Sequence, residues 1–323
     1  MKKKLTQSLF KHLLFVAFSC IIFLTSCSKD DDYIETSLES PIIQNNPQGG
    51  YPLIIKQVPY IKMNMPEEPQ KLIYDENKND VTLSAIKDTI VVIIEGGPTH
   101  TLGEDLGQIK GAINSDGLPN HTVVGMRQAH NINPTVFGSG TSFTNANAQE
   151  VNIQTIGIVE KVITWLKSNN KVVYLFGHSN GSLIVQNYMS SGKISPNGYV
   201  ITGTRLKPVQ AFIDNYPNNI DVSFTNGITV VTTNVPSDQI PYFNVVSKLQ
   251  LNHNKNYITL LAGNPMLSNT VYSLSGKDEA IGRIELDEKS FLENNQISTI
   301  FEADGDHSDA SAGIIPALKF LRL

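Results

Sequence analysis

A serine between two glycines lies where an apolar run gives way to a helical pattern. The pentapeptide Gly177-His178-Ser179-Asn180-Gly181 follows the apolar residues 172–176 and precedes the amphipathic residues 183–188. A strand, a Gly-x-Ser-x-Gly turn and a helix in this order predict a nucleophile elbow, which presents a serine hydroxyl above a sheet. Glycines permit the close approach of strand and helix that such a turn needs. Ser179 is therefore the candidate nucleophile, and an ordinary glycine-rich turn is the alternative.

A serine hydroxyl needs a base to remove its proton, and that base is usually a histidine oriented by an acid. Asp278 follows the apolar run 271–274, and His307 follows the run 297–301. Both come directly after predicted strands, so the order Ser179, Asp278, His307 predicts a catalytic triad. The other candidates for the acid are Glu279, Asp304 and Asp306, and a solvated loop position is the alternative for His307.

The remaining histidines and acids suggest no metal or cofactor. The cluster around His307 contains Asp304, Asp306 and Asp309, but its spacing follows no recognised ligand pattern. His178 lies inside the pentapeptide, where we expect it to pack beside the serine. His100 or His253 could line the substrate pocket. We therefore predict a reaction without metal or cofactor.

A tetrahedral intermediate also needs hydrogen-bond donors aimed at its oxyanion. One donor should be the backbone N–H of Asn180, the residue after the nucleophile. The second should come from the turn Glu95-Gly96-Gly97-Pro98, which follows the β-branched run 89–94. Because proline has no N–H, Gly97 is the candidate.

The elements around these residues alternate between strand and helix, which predicts a mostly parallel, doubly wound sheet. The predicted strands are residues 53–55, 71–74, 89–94, 122–124, 172–176, 199–201, 271–274 and 297–301. Helical periodicity marks residues 102–113, 156–166, 183–188 and 314–321. The first two strands are separated by Pro and Asn turns and predict an antiparallel entry. Between strands six and seven the alternation stops, and residues 204–268 are predicted to form a cap with a helix near 242–249.

These features resemble the α/β-hydrolase family from about residue 51 to residue 323. The resemblance rests on the elbow, on the acid after the next-to-last strand, on the histidine after the last strand and on the C-terminal helix. It implies an α/β fold in which Ser179 is the nucleophile, His307 the general base and Asp278 the orienting acid.

The turn at residues 95–98 resembles the His-Gly-Gly-Pro oxyanion loop of proline-iminopeptidase-like hydrolases. Glu95 stands in place of the histidine, and Thr99 stands where a further glycine is usual. These departures leave the backbone donors intact. They weaken the expectation that this chain shares the aminopeptidase specificity of that family. Arg127 follows the next strand without the glycine that such enzymes often carry there, so we expect a structural role for it.

The N-terminus predicts an exported, lipid-anchored protein. Four lysines precede the apolar run 13–24, which has the layout of a signal peptide covering residues 1–26. The run ends in Leu24-Thr25-Ser26-Cys27, which resembles a lipobox and implies acylation of Cys27. Residues 27–50 are predicted to be a flexible tether. The acidic cluster at residues 30–32 resembles a surface-export signal of some Gram-negative lipoproteins. This resemblance implies that the protein is an outer-membrane lipoprotein exposed at the cell surface.

Composition excludes several classes of protein. Cys20 would leave with the signal and Cys27 would carry lipid, so no disulfide is expected. The formal net charge of −5 and the lack of a basic cluster beyond the first residues argue against nucleic-acid binding. The sequence gives no indication of oligomeric state.

Together these observations predict a membrane-tethered serine hydrolase that acts on a small-molecule or peptide acyl substrate. Cleavage of a carboxylic ester through an acyl-enzyme is the main hypothesis. An aminopeptidase of the proline-iminopeptidase type is one alternative, and it would need cap carboxylates such as Asp214, Asp221 and Asp238 to bind an α-amino group. A non-catalytic surface binding protein on a hydrolase scaffold is the other alternative.

Overall fold

The computed structural model describes residues 43–44, 53–54, 65–98, 101–103, 106–115 and 121–321. The chain divides into two units, Met1–Pro59 and Tyr60–Leu323. In the first unit, strands β1 (Ile43–Gln44) and β2 (Leu53–Ile54) pair antiparallel. The prediction that residues 53–55 enter the main sheet is therefore wrong, because β2 pairs with β1 in a separate two-stranded sheet. The predicted signal peptide, Cys27, most of the tether and His100 lie outside the described residues. Among the residues that are described, no helix combines the length and apolarity that crossing a membrane requires.

The second unit is built on a seven-stranded sheet. Its strands are β3 (Ile73–Tyr74), β4 (Thr89–Ile94), β5 (His121–Met126), β6 (Val172–His178), β7 (Gly198–Thr202), β10 (Thr270–Ser275) and β11 (Ser298–Glu302). Their order across the sheet is β11-β10-β7-β6-β4-β5-β3. Only β3 runs antiparallel to its neighbour; the other pairs are parallel. The predicted α/β fold class with its mostly parallel sheet is confirmed.

Helices pack on both faces of this sheet, and others lie in the segment inserted between β7 and β10. They are α1 (Leu106–Ser115), α2 (Ala129–Ile132), α3 (Asn145–Ser168), α4 (Asn180–Ser190), α5 (Gln210–Asn215), α6 (Ile240–His253), α7 (Tyr257–Leu260), α8 (Leu286–Asn294), α9 (Asp309–Ala312) and α10 (Ile314–Phe320). The longest, α3, begins where the Thr144 hydroxyl accepts a hydrogen bond from the Asn147 N–H, a standard way to satisfy the first free donors of a helix.

The continuous β-branched run of β4 is explained by burial on both faces of the sheet. Val92 packs into the cluster that contains α3 and α4, whereas its neighbours Val91 and Ile93 pack into the cluster that contains α1 and α10. Successive side chains of a strand point to opposite faces, so one short strand contributes to two cores. This packing fixes the register of β4 and β6, whose carboxyl ends carry the residues considered below.

Residues 203–269, between β7 and β10, form an inserted segment. It contains α5, α6, α7 and a two-stranded antiparallel ribbon, β8 (Ile220–Thr225) and β9 (Thr229–Asn234). The sequence predicts a helix at 242–249, and α6 covers that range and extends beyond it. The ribbon was not predicted, because β9 has no apolar alternation: all six of its residues are exposed.

Candidate active site

Ser179 lies at the sharp turn between β6 and α4 in a conformation that few side chains adopt. Its backbone angles are φ 55° and ψ −123°, and a non-glycine residue in such a region costs of order 1–3 kcal/mol. The two glycines of the pentapeptide make the turn possible. A Cβ at Gly181 would lie 2.0 Å from the Ile94 carbonyl oxygen, and one at Gly177 would lie 2.6 Å from the Gly181 carbonyl oxygen. The predicted elbow is therefore present in the backbone.

Hydrogen bonds from β7 hold this turn in place. The Ser179 N–H donates to the Thr202 carbonyl at 3.0 Å. The buried Ser182 hydroxyl lies 2.6 Å from the Thr202 carbonyl oxygen and 2.7 Å from the Gly177 carbonyl oxygen, and it accepts from the Thr202 N–H. The Ser179 carbonyl in turn accepts the Ser182 N–H at 2.9 Å. Because both backbone groups of the strained residue are hydrogen-bonded, the surrounding structure imposes its conformation.

Asp278 and His307 come together at the carboxyl ends of β10 and β11. The Asp278 Oδ2 atom lies 2.8 Å from His307 Nδ1, and the Asp278 side chain is almost fully buried. Its other oxygen accepts hydrogen bonds from the backbone N–H groups of Ala280 and Ile281. The carboxylate is thus fixed with one oxygen directed at the imidazole ring, an arrangement that orients a histidine base.

The alternative acids are occupied elsewhere. Glu279 accepts the backbone N–H of His307 at 3.0 Å and does not contact its ring nitrogens. Asp304 pairs with Lys277 at 2.6 Å, and Asp306 accepts from the Ser308 N–H and hydroxyl. Of the acids considered, the structure therefore brings Asp278 to the imidazole. The cluster around His307 forms no group suited to a metal ion within the described part of the chain.

Two opposing effects set the pKa of His307. Burial alone would lower it, but the hydrogen bond and charge of Asp278, with the charges of Glu279 and Asp306, raise the pKa above its ordinary value. Burial, reinforced by the nearby His307, lowers the pKa of His178 to about 3. His178 therefore stays neutral, and of the two rings His307 is the one that can take up a proton near neutral pH.

The His307 ring lies beside the elbow. Its centroid is 4.9 Å from that of His178, the residue before the serine. A Cβ at Gly203 would lie 3.0 Å from His307 Cε1, so this glycine leaves room for the ring. No hydrogen bond joins the Ser179 hydroxyl to His307 among the described residues. Such bonds are often long in unliganded enzymes and shorten when substrate binds.

The turn at residues 95–98 packs against the nucleophile. A Cβ at Gly96 would lie 3.2 Å from Ser179 Cβ, and Gly97 has φ 118°, which strongly favours glycine. The N–H groups of Gly97 and Asn180, both predicted oxyanion donors, donate to no other described residue. The turn therefore offers free donors next to the serine.

Glu95, which stands where the resembling family has histidine, has a structural role at this turn. Its buried carboxylate accepts the N–H groups of Gly103 at 2.9 Å and Leu106 at 3.2 Å. An acidic group at a helix N-terminus also interacts favourably with the helix dipole. Glu95 therefore fixes the start of α1 relative to the turn, a role that the sequence did not reveal.

A small cavity of about 70 Å³ opens beside Ser179. Its apolar walls come from α4, the inserted segment and the loop after Asp278: Leu183, Val209, Phe212, Tyr216, Ala280 and Ile281. None of the three cap carboxylates, Asp214, Asp221 and Asp238, lines it. A larger groove of about 1120 Å³ lies between the ribbon, α8 and β11, and it contains none of Ser179, Asp278 and His307.

Two further sequence predictions concern residues near the site. Arg127 donates to the carbonyls of Lys71 and Lys78 and pairs with Asp80 at 3.0 Å, which confirms its structural role. His253 does not line the cavity, because it is fully buried where α6 meets Asn187. The suggestion that His253 reaches the pocket is therefore wrong.

Comparison with known proteins gives distant structural likenesses. No protein-family model matches the chain, and no curated protein matches its sequence. Among solved structures, a lipase in an open form shares 12% identity with a TM-score of 0.47, over 77% of this chain and 93% of that one. A hydrolase from Oleispira antarctica shares 14% identity with a TM-score of 0.46, over 79% and 97%. A lipase-esterase related protein from Clostridium acetobutylicum shares 12% identity with a TM-score of 0.45, over 73% and 93%.

Proposed function

We propose that this protein is a serine hydrolase that cleaves carboxylic esters through a Ser179–His307–Asp278 triad. The observation that carries the proposal is the 2.8 Å contact between Asp278 and His307 beside a serine held at φ 55°. A structural turn has no need for a strained serine, free backbone donors and a paired imidazole at one point. Active sites are where such strain and such perturbed groups collect.

The proposed reaction has two halves. In the first, His307 Nε2 accepts the Ser179 proton while Oγ bonds to the substrate carbonyl carbon, and the oxyanion forms at the N–H groups of Gly97 and Asn180. The intermediate then expels the alcohol, which takes its proton from His307, and leaves an acyl-enzyme. In the second half, His307 takes a proton from water, the hydroxide attacks the acyl carbon, and Ser179 leaves with the proton.

Asp278 has two effects in this proposal. Its hydrogen bond to Nδ1–H keeps the proton on that nitrogen and leaves Nε2 free to act as a base. Its negative charge stabilises the imidazolium that forms during each half-reaction. The same charge contributes to the raised pKa of His307. One carboxylate therefore both raises the pKa of the free base and stabilises its protonated form in the transition state.

Hydrolysis of short p-nitrophenyl esters by the wild type and by Ser179→Ala tests the proposal. We expect kcat to fall on the order of 10⁶-fold in the variant if the three residues act as a unit. Ser190→Ala is the matched control, because this serine lies on α4 and its hydroxyl donates to the Asn187 carbonyl. A loss of less than tenfold in Ser179→Ala would overturn the proposal.

The ester hypothesis is preferred to aminopeptidase activity because of the composition of the cavity. Recognition of an α-amino group would need a carboxylate beside the serine, and none of the described residues that line the cavity carries one. The lining combines apolar side chains with the cation of Arg205, and such walls fit a neutral acyl group better than a charged amine.

We further propose that the chain is tethered to the outer membrane, exposed at the cell surface, by acylation of Cys27. The support is the sequence alone: the basic and apolar leader and the Leu24–Cys27 motif. More than one acyl chain is needed for stable anchoring. Mass spectrometry of the mature N-terminus should detect a diacylglyceryl modification on Cys27, which Cys27→Ser should abolish along with membrane fractionation. Protease treatment of intact cells tests the surface location.

A further inference from the structure

The turn that carries Gly97 is held by glutamine side chains on two sides. On one side, the buried Gln128 donates to the Glu95 carbonyl at 3.1 Å. On the other, Gln250 donates to the Gly97 carbonyl at 3.3 Å. Gln128 belongs to the sheet body, whereas Gln250 belongs to α6 of the inserted segment. The turn is therefore bonded both to the body and to the insertion.

Gly97 depends on such restraints more than most residues would. It has no side chain to pack, and it adopts φ 118°, a region in which glycine loses much conformational freedom on ordering. Its N–H can stabilise an oxyanion only if the peptide keeps its orientation, since oxyanion stabilisation comes from donors that are already in place. The bond from Gln250 restrains the carbonyl of the same residue.

Helix α6 is itself anchored, so it can serve as a fixed support. Asn244 donates to the carbonyls of Gly140 and Phe143, and Lys248 donates to the Phe143 carbonyl at 2.6 Å. Helix α3 packs against α6, and its Asn152 side chain donates to the Leu249 carbonyl of α6 at 3.1 Å. These bonds position the helical turn just before Gln250.

Gln250 also faces the reaction site. It is partly exposed and lines the 70 Å³ cavity together with Ser179. Two other side-chain amides line this cavity. Asn254 bonds the backbone of Val209, and the buried Oδ1 atom of Asn180 has no hydrogen-bond partner among the described residues. The geometry therefore makes Gln250 the link between the cavity wall and the oxyanion turn.

We propose that Gln250 is a positioning residue for the oxyanion site: its amide fixes the Gly97 carbonyl and with it the backbone torsions of Gly97, so that the N–H of the same residue is aligned only while α6 is seated. This inference rests on the proposed hydrolase function. It assigns to the inserted segment a part in turnover as well as in shaping the cavity. The chemistry involved is hydrogen bonding alone, and Gln250 does not exchange a proton with substrate.

Two substitutions remove the donor while keeping the length of the side chain. Gln250→Met leaves the Gly97 carbonyl without a partner, and Gln250→Glu places an acceptor opposite it. We expect kcat to fall about tenfold in Gln250→Met, and further in Gln250→Glu, because part of the contribution of an oxyanion donor is lost. KM should stay within about twofold, as expected when only a transition-state interaction weakens. Gln250→Lys, which keeps a donor, should recover most of the lost turnover.

The matched control is Gln210→Met on α5 of the same segment. Gln210 is exposed and donates to Asp214 at 2.7 Å. It makes no hydrogen bond to the described residues of the turn. This variant should keep both kcat and KM. Melting temperatures of all variants show whether any loss follows from unfolding.

A trifluoromethyl ketone gives a second measurement, because its adduct with a serine carries an oxyanion. Its Ki should rise about as much as kcat/KM falls across the Gln250 variants. An unchanged kcat, an effect on KM alone, or an unchanged Ki beside a lower kcat would each overturn the inference. If one of these results is found and a fluorophosphonate still labels the wild type, the inference fails while the proposed function stands. A wild type that neither labels nor hydrolyses esters overturns the proposed function and this inference with it.

Discussion

The sheet body and the inserted segment differ in how their residues are held. The proposed triad and both oxyanion donors sit at the carboxyl ends of β4, β6, β10 and β11, strands whose neighbours are parallel and whose central members are buried on both faces. In the inserted segment, α6 packs into the main core through Val245 and Leu249, but every residue of β9 is exposed. The part around α5 and the ribbon packs on a small cluster of its own: Val209, Phe212, Tyr216, Val222 and Phe224.

The proposed reacting groups therefore belong to the sheet body, whereas walls of the cavity come from the inserted segment. The body fixes strained and paired groups that must not move, because misalignment by about 1 Å is costly in catalysis. The inserted segment supplies walls of the cavity and, in our inference, one restraint on the oxyanion turn. Substitutions in the body should therefore cause large losses of kcat or of stability. Substitutions in the inserted segment should cause smaller changes of kcat or of substrate preference.

The largest expected effect is that of Asp278→Asn in the body. The variant keeps the shape of the side chain but favours the wrong imidazole tautomer, so we expect kcat for ester hydrolysis to fall about 10⁴-fold. The melting temperature should change little by comparison. A decrease of less than about tenfold would show that another group orients His307.

Substitution of an elbow glycine tests whether the close packing of the sheet body requires the strained turn. Gly181→Ala would place a Cβ 2.0 Å from the Ile94 carbonyl oxygen, and we expect the free energy of unfolding to fall by more than about 3 kcal/mol. Gly157→Ala on α3 is the control, since a Cβ there meets nothing within 4 Å. It should stabilise the protein by up to about 1 kcal/mol. Urea denaturation of both variants measures the contrast.

A substitution in the inserted segment should change specificity more than chemistry. Phe212 is buried, stacks on Tyr216 with centroids 4.8 Å apart and lines the cavity. Phe212→Ala should cost about 3 kcal/mol and should shift the preferred acyl group toward longer chains. An unchanged chain-length profile, with the same stability loss, would show that the substrate does not enter this cavity. Phe320→Ala, at an exposed position, is the control.

Two buried histidines, one in each region, predict sensitivity to acid. Burial lowers the pKa of His130 on α2 and of His253 on α6 to about 3, from 6.5. The unfolded chain binds protons below pH 6.5 whereas the folded protein does not, so stability present above pH 6.5 is lost between about 6.5 and 3. Each histidine should lower the free energy of unfolding by about 2 kcal/mol between pH 7 and pH 5. His130→Leu should reduce this dependence in denaturant titrations; an unchanged pH dependence would contradict the assignment.

The smallest expected effect comes from a charge beside the base. Glu279 helps to raise the pKa of His307 and accepts its backbone N–H. Glu279→Gln keeps an acceptor but removes the charge, so the pKa of His307 should fall. Since the base must be neutral, the acidic limb of kcat/KM should move to lower pH, with little change in the plateau. A shift to higher pH would contradict the electrostatic argument.

Local patterns in the sequence predicted the seven strands of the sheet, the elbow and the pairing of Asp278 with His307. These features depend on the alternation of burial and on which residues follow each strand, and both can be read over short windows. Glu95, Gln128 and Gln250 were missed because their partners are set by the tertiary fold; Gln250 and Gly97 are 153 residues apart in sequence. The ribbon of the inserted segment was missed because its second strand, β9, is wholly exposed, so that its Thr and Val residues give no contrast between faces, although β8 alternates.

The most direct test of the account is labelling of the full-length protein, in detergent, with a fluorophosphonate, followed by mass spectrometry of the peptides. An activated serine should form one adduct per chain, on Ser179, and Ser179→Ala should form none. Asp278→Asn should label far more slowly. A folded wild type that forms no adduct, or that forms it at another serine, would contradict the claim that this elbow is a working nucleophile.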